Sequence, residues 1–187
     1  MRVVGGKLRG RNLATPSDDA IRPTSDRVRE AVFNWLLHGD PVARIDGGRV
    51  IDLFAGTGAL GIEALSRGAT FCLFVEEAAE ARGLIRRNIE AFGLTGVTKL
   101  WRRDATDLGP AGNMMPYDVA FLDPPYGKGL GEKALAALAE GGWLVPDALC
   151  VLEERKGVDL ALSHSFDVLD QREWGDTQVV KLRFRGP

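Results

Sequence analysis

The sequence predicts an α/β protein built on a doubly wound, mostly parallel sheet that ends in an antiparallel hairpin. Three observations carry this. Between residues 49 and 153, short apolar runs alternate with segments of helical periodicity. The runs show almost no polar alternation, as expected of strands covered on both faces. The last part breaks the pattern: Phe166–Trp174 and Thr177–Phe184 are strand-like runs joined by Gly175-Asp176, a hairpin signal. Five strands and this hairpin give a seven-stranded sheet.

Each element has its own signal. Thr24 or Ser25 can cap a helix over 26–38, whose apolar face is Val28, Val32, Trp35 and Leu36. Gly39-Asp40-Pro41 ends it. Residues 49–54 form the first strand, followed by a glycine loop and a helix over 58–67 with Leu60, Ala64 and Leu65 on one side. Phe71–Val75 is the second strand. Ala81, Leu84, Ile85, Ile89 and Phe92 give a helix over 77–92. Strands over 97–101 and Tyr117–Leu122, a helix over 129–140 and a strand over 148–153 complete the alternation.

The chain has 187 residues, enough for one domain that folds without disulfides or metal. Its 45% apolar and 27% charged fractions exclude wholesale disorder. No apolar run reaches the roughly 18 residues of a transmembrane helix. The start lacks a signal-peptide core, so a cytoplasmic location is expected. Cys72 and Cys150 sit in apolar stretches and read as small core residues. No metal-ligand cluster is visible, and His38 and His164 lie away from every motif.

The net charge of −2 is unevenly placed. Residues 1–11 carry Arg2, Lys7, Arg9 and Arg11 and no acid, a local +4, which leaves −6 on the rest. A basic arm on an acidic body can hold a polyanion. Arg2-Val3-Val4 and Lys7-Leu8-Arg9 flank Gly5-Gly6, which suits a small β-hairpin turned at the two glycines. Residues 14–23 form a polar linker that includes Arg22. The division expected is an arm and linker over 1–23 and a main domain over 24–187.

Ligands of doubly wound sheets bind beyond the carboxyl ends of the strands. After the first strand the chain reads Asp52-Leu53-Phe54-Ala55-Gly56-Thr57-Gly58-Ala59-Leu60-Gly61. Its glycines allow a tight turn and a close approach by a ligand. Glu76 follows the second strand, where an acid can accept ribose hydroxyls. Asp104 and Ala105 follow the third, and Asp104 can accept from an adenine amino group. After the fourth comes Asp123-Pro124-Pro125-Tyr126. The prolines fix the backbone and remove two donors. An Asp carboxylate beside a Pro carbonyl offers two acceptors and no donor, which suits a planar amino group. Accepting both N–H bonds favours a pyramidal nitrogen whose lone pair can attack an electrophile. Tyr126 offers a ring for stacking a base, worth about 1–3 kcal/mol in single-stranded sites.

Taken in order, Asp52, Gly56-Thr57-Gly58, Glu76, Asp104 and Asp123-Pro124-Pro125-Tyr126 resemble the motifs of S-adenosylmethionine-dependent amino-methyltransferases. The blocks Gly5-Gly6-Lys7-Leu8-Arg9-Gly10-Arg11 and Arg22-Pro23-Thr24-Ser25-Asp26-Arg27-Val28-Arg29-Glu30, with Phe33-Asn34-Trp35-Leu36, resemble the RsmD family. The resemblance runs through Gly175-Asp176-Thr177. It implies a Rossmann-like class I methyltransferase and methylation of N2 of one guanine in bacterial 16S ribosomal RNA, within the small subunit or an assembly intermediate. Nothing in the sequence requires more than a monomer. The resemblance also implies roles. Ala55, Gly56, Thr57 and Gly58 would admit the methionine part of S-adenosylmethionine, with Asp52 near its amino group. Glu76 would hold the ribose, and Asp104 with Ala105 the adenine. Asp123 and Pro124 would hold the guanine amino group, with Pro125 fixing the turn and Tyr126 against the ring. Arg2, Lys7, Arg9, Arg11 and Arg22 would meet RNA. The family has an acidic or polar residue two positions after Glu76, where this chain has Ala78.

Three other readings compete. A nicotinamide-dinucleotide oxidoreductase accounts for the glycines and Glu76 but gives Asp123-Pro124-Pro125-Tyr126 no role. A DNA amino-methyltransferase needs a target-recognition domain for which the chain has little room. A non-catalytic ribosome-assembly factor would have no use for the intact strand-end residues.

Overall fold

The computed structural model describes residues 1–17 and 25–186. Arg22 and the alternative cap Thr24 lie outside the described residues. The elements run α1 (Asp26–His38), β1 (Arg49–Leu53), α2 (Ala59–Ser66), β2 (Phe71–Val75), α3 (Ala79–Ala91), β3 (Thr98–Trp101), β4 (Tyr117–Leu122), α4 (Leu130–Glu140), β5 (Leu144–Arg155), β6 (Phe166–Trp174) and β7 (Thr177–Phe184). Ser25 caps α1, its hydroxyl accepting the Val28 N–H at 3.2 Å.

The seven strands form one sheet in the order β3-β2-β1-β4-β5-β7-β6. The pairs β3-β2, β2-β1, β1-β4 and β4-β5 are parallel, and β7 pairs antiparallel with both β5 and β6. Chain direction through the sheet reverses between β1 and β4, so their carboxyl ends open a crevice at this switch point. Alternate residues of the central strands serve two cores. Val50, Cys72, Phe74, Val119, Phe121, Leu149 and Val151 face the α1, α2 and α3 side. Ile51, Leu53, Leu73, Val75, Ala120, Leu122, Cys150 and Leu152 face the α4 side. Both cysteines are free and buried.

Two expectations change. β5 begins at Leu144, not at 148. Pro146 and Asp147 hid its start: Asp147 has φ 68°, and the β4–β5 register shifts between Tyr117 and Val119, the mark of a bulge. The arm also turns elsewhere. An isolated bridge pairs Arg2 with Asn12, and the N–H groups of Val3 and Leu13 donate to the carbonyls of Arg11 and Met1 at 3.0 and 2.9 Å. The reversal occupies the residues after Gly6, where the N–H groups of Arg9 and Arg11 donate to the carbonyls of Gly6 and Leu8. Gly5 and Gly6 do not form a two-residue hairpin loop because they lie against α2. A Cβ on Gly6 would meet the Ser66 carbonyl oxygen at 2.0 Å.

The arm is built into the first core through Val3 and Leu13. The N–H groups of Val4 and Gly5 donate to the two carboxylate oxygens of Glu63 at 2.9 Å each. Glu63 and Arg29 are fully buried and paired at 3.4 Å, and Arg67 meets the other Glu63 oxygen at 2.9 Å. Arg29 also donates to the Arg2 carbonyl and to Asp26. A buried charge needs partners of this kind to offset lost hydration. Among the described residues, no helix is long and apolar enough to cross a membrane.

Candidate active site

The glycine loop leaves β1 under local strain. Phe54 has φ 55°, a region costly for a bulky side chain, and Gly56 and Gly58 follow at φ 59° and 80°. A Cβ on Gly56 would meet nothing within 4 Å, so the loop is open to a ligand there. Gly61 serves packing instead. A Cβ on it would meet Phe74 at 2.4 Å and Cys72 at 2.7 Å, so the glycine lets α2 lie close on β2.

Acidic side chains hold this loop in shape. Asp52 is buried, and its Oδ2 accepts the Gly61 N–H at 3.0 Å, at the start of α2. Burial pushes its carboxyl up to about 8, against the lowering effect of the Gly61 bond, and the charge of Glu76 raises it further. Glu76 accepts the N–H groups of Gly56 at 2.8 Å and Ala78 at 3.0 Å, one on each oxygen. A carboxylate has about four acceptor positions, so two are left for hydroxyl donors. The acceptor at Asp104 is arranged similarly. Its Oδ1 takes both the N–H and the hydroxyl of Thr106, at 2.8 and 2.7 Å. Asp104 is exposed and Ala105 is buried beneath it.

Across the switch point, Asp123 continues β4 and is half-buried. Enclosure by the protein, then the charge and hydrogen bond of Glu153, then the charge of Asp52, push its carboxyl well above the usual carboxylate range. Pro124 is buried and Pro125 exposed. The Tyr126 hydroxyl donates to Glu153 Oε1 at 2.6 Å and lies 3.1 Å from Thr177 Oγ1. The next residue, Gly127, donates its N–H to the buried Glu154 at 3.0 Å. β5 and β7 therefore clamp the turn that follows β4.

The structure thus gathers Asp52, Ala55, Gly56, Thr57, Gly58, Glu76 and Asp123 at adjoining strand ends. Asp104 and Ala105 stand beyond β3. The arm residues divide by environment. Arg2 pairs with Asp26 at 3.7 Å. Arg11 donates to the Ala91 carbonyl at 3.0 Å and lies over the Phe92 ring. Lys7 and Arg9 are exposed and make no ion pair among the described residues. Reading the sequence missed Glu153, Glu154 and Asn88. Asn88 accepts the Ala14 N–H at 2.7 Å and donates to the Thr57 carbonyl at 3.1 Å, joining the end of the arm to the glycine loop. Its polar side chain in the apolar stripe of α3, 2% exposed, was the available signal.

Asp52, Glu76, Asp104 and Asp123 take part in no ion pair among the described residues. Charge coupling links Asp123 to Asp52 and Asp52 to Glu76. An acid cluster with no internal cation beside an open glycine loop fits S-adenosylmethionine, whose sulfonium and ammonium groups are positive. Fold and site define a class I methyltransferase that uses S-adenosylmethionine. The same fold occurs in SMU.776, solved in complex with SAH (TM-score 0.59, 18% identity, 83% of this chain and 49% of that one). The chain belongs to the RsmD family. The family model described as "Conserved hypothetical protein 95" matches residues 1–183. The Haemophilus influenzae ribosomal RNA small subunit methyltransferase D is 33% identical over 177 residues, 94% of this chain and 89% of that protein. Its Escherichia coli counterpart of the same name is 37% identical, over 82% of this chain and 74% of that one. The structure of the candidate methyltransferase yhhF from Escherichia coli covers 100% of this chain and 99% of its own, at TM-score 0.83 and 29% identity.

Proposed function

We propose that this protein methylates the exocyclic N2 amino group of one guanine in bacterial 16S ribosomal RNA. The observation that carries the reading is Asp123-Pro124-Pro125-Tyr126 at the end of β4, beside the acid-lined glycine loop across the switch point. The names of the relatives support ribosomal RNA of the small subunit as the substrate class. The guanine N2 target is the family's implied chemistry.

S-adenosylmethionine supplies a methyl group on a positively charged sulfur. Gly56 and Gly58 admit its methionine part, Glu76 receives the ribose hydroxyls, and Asp104 with Ala105 receives the adenine. Asp52 holds the loop from beneath and presents a carboxyl oxygen near the amino group. Asp123 and the Pro124 carbonyl accept the two N–H bonds of the base, while Tyr126 stands against its ring. Holding the nitrogen in line accounts for most of the rate, since a well-placed reactant pair recovers about 7–11 kcal/mol of the barrier. No strong base is needed before attack, because the methylated nitrogen is acidic. The arm and linker, 1–23, grip RNA phosphates through Lys7 and Arg9, with Arg2 and Arg11 beside them, and Arg22 adds a further positive charge from the linker. The domain 24–187 acts as a monomer in the cytoplasm.

The test is incubation with labelled S-adenosylmethionine and small subunits from a strain lacking the protein, followed by nucleoside analysis. Label in N2-methylguanosine is expected; label in any other nucleoside overturns the assignment.

A further inference from the structure

The last turn of α3 holds the arm and the glycine loop together. Asn88, buried there, accepts the Ala14 N–H on Oδ1 at 2.7 Å. Its Nδ2 donates to the Ala14 carbonyl at 3.4 Å and to the Thr57 carbonyl at 3.1 Å. Reversing the amide would set donor against donor and acceptor against acceptor at all three contacts, so the partners fix its orientation. The Thr57 carbonyl and the Gly58 N–H belong to one peptide unit. Asn88 holds the oxygen, and the Ala55 carbonyl receives the N–H at 2.8 Å. Glycines keep no shape by themselves, so bonds of this kind define the surface a cofactor meets. The other end of the arm reaches the same loop. The Thr57 hydroxyl donates to the Met1 sulfur at 3.9 Å, and the Leu13 N–H donates to the Met1 carbonyl at 2.9 Å. Arg11 grips the same end of α3 at Ala91 and Phe92.

We infer that Asn88 is a positioning residue for both substrates of methyl transfer: one buried amide sets the glycine loop for S-adenosylmethionine and fixes the root of the arm that grips RNA. This rests on the function proposed above. A site held in shape before its ligand arrives loses less freedom on binding, and that gain appears as affinity. Here the gain at both sites passes through one side chain. A cofactor seated on the loop suppresses the openings that separate Thr57 from Asn88, and so steadies Asn88 against Ala14. The arm and the cofactor loop thereby sense each other without direct contact between their ligands.

The experiment compares wild type, Asn88→Ala and Asn88→Leu as full chains. Alanine leaves a gap and makes none of the three bonds. Leucine makes none either but fills the space with apolar atoms, so its Tm should exceed that of Asn88→Ala. Affinity for S-adenosylmethionine, by calorimetry, should fall about tenfold in both variants, the scale of a buried polar group left unpaired. Affinity for small subunits should fall about fivefold in both, on the same ground. A residue that merely packed would let Asn88→Leu recover both affinities along with Tm. Wild-type affinities in either variant, or affinities that follow Tm, overturn the inference. Amide hydrogen exchange of the wild-type chain reads the link without any substitution. Saturating S-adenosylhomocysteine should slow exchange at Ala14 about fivefold relative to Lys7, the lower end of typical coupling between sites. Lys7 is the control because its N–H donates to Ser66, away from the loop. Equal slowing at Ala14 and Lys7 overturns the inference. Because exchange and calorimetry need no RNA, labelling of a different nucleoside would overturn the function reading alone.

Discussion

The carboxylate of Glu76 accepts the backbone N–H of Gly56 at 2.8 Å, tying the tip of β2 to the loop that follows β1. The residue that would hold the ribose therefore also shapes the bed of the methionine part. Glu76→Ala removes both functions and frees the N–H of Ala78 as well. Affinity for S-adenosylmethionine should fall at least tenfold, since hydrogen bonds to charged groups contribute about 1.5–3 kcal/mol. Isothermal calorimetry checks this. Unchanged affinity would remove Glu76 from the cofactor site.

Asp52 gives a prediction about stability. Its folded carboxyl sits near 8 against an ordinary 3.8. Between these values the folded state holds a proton that the unfolded state has released. Stability must therefore fall as pH rises through this window, by at most about 1.4 kcal/mol per pH unit. Asp52→Asn keeps an oxygen for Gly61 and removes the titration. Urea unfolding at a series of pH values should show a shallower decline for Asp52→Asn than for wild type.

Asp123→Ala should abolish methyl transfer, with a loss of at least about 100-fold, while S-adenosylmethionine still binds. Single-turnover labelling and calorimetry on the same preparation separate the two. Retained activity would sink the proposed mechanism.

The surroundings of the arm's arginines set them apart from one another. Arg9 is exposed, whereas Arg11 is bonded to the end of α3. Arg9→Glu should weaken RNA binding and flatten its salt dependence by about 0.7–0.9 in logarithmic slope for each phosphate no longer neutralised. Arg11→Glu should do the same and also lower Tm, because its hydrogen bond to the Ala91 carbonyl is broken. Filter binding at several salt concentrations reads the slope. An equal loss of cofactor affinity in Arg9→Glu would make the arm structural.

Much of this fold was legible because apolar runs such as Phe71–Val75 fix a strand without long-range information. The strand ends were legible too, since topology alone places Asp52, Glu76, Asp104 and Asp123 on one edge of the sheet. What stayed hidden depended on pairing. Glu153 and Glu154 look like an ordinary acidic strand end, and only the register beside β4 puts them against the Asp123 turn. Gly5-Gly6 has the composition of a hairpin loop, yet its conformation is set by contact with Ser66, about sixty residues away. The burial of Arg29 follows from Glu63 on another helix, a pairing that no local sequence pattern shows.

The order β5-β7-β6 has a consequence for how the protein comes into being. β6 is synthesised before β7 but has no place in the sheet until β7 has inserted beside β5. Until then β5 offers an open edge, an invitation to pair with another chain. Thr177, at the first position of β7, arrives with that insertion and completes the hold on Tyr126. A nascent chain can thus build the glycine loop after β1 early, but the clamp on the turn after β4 is assembled last.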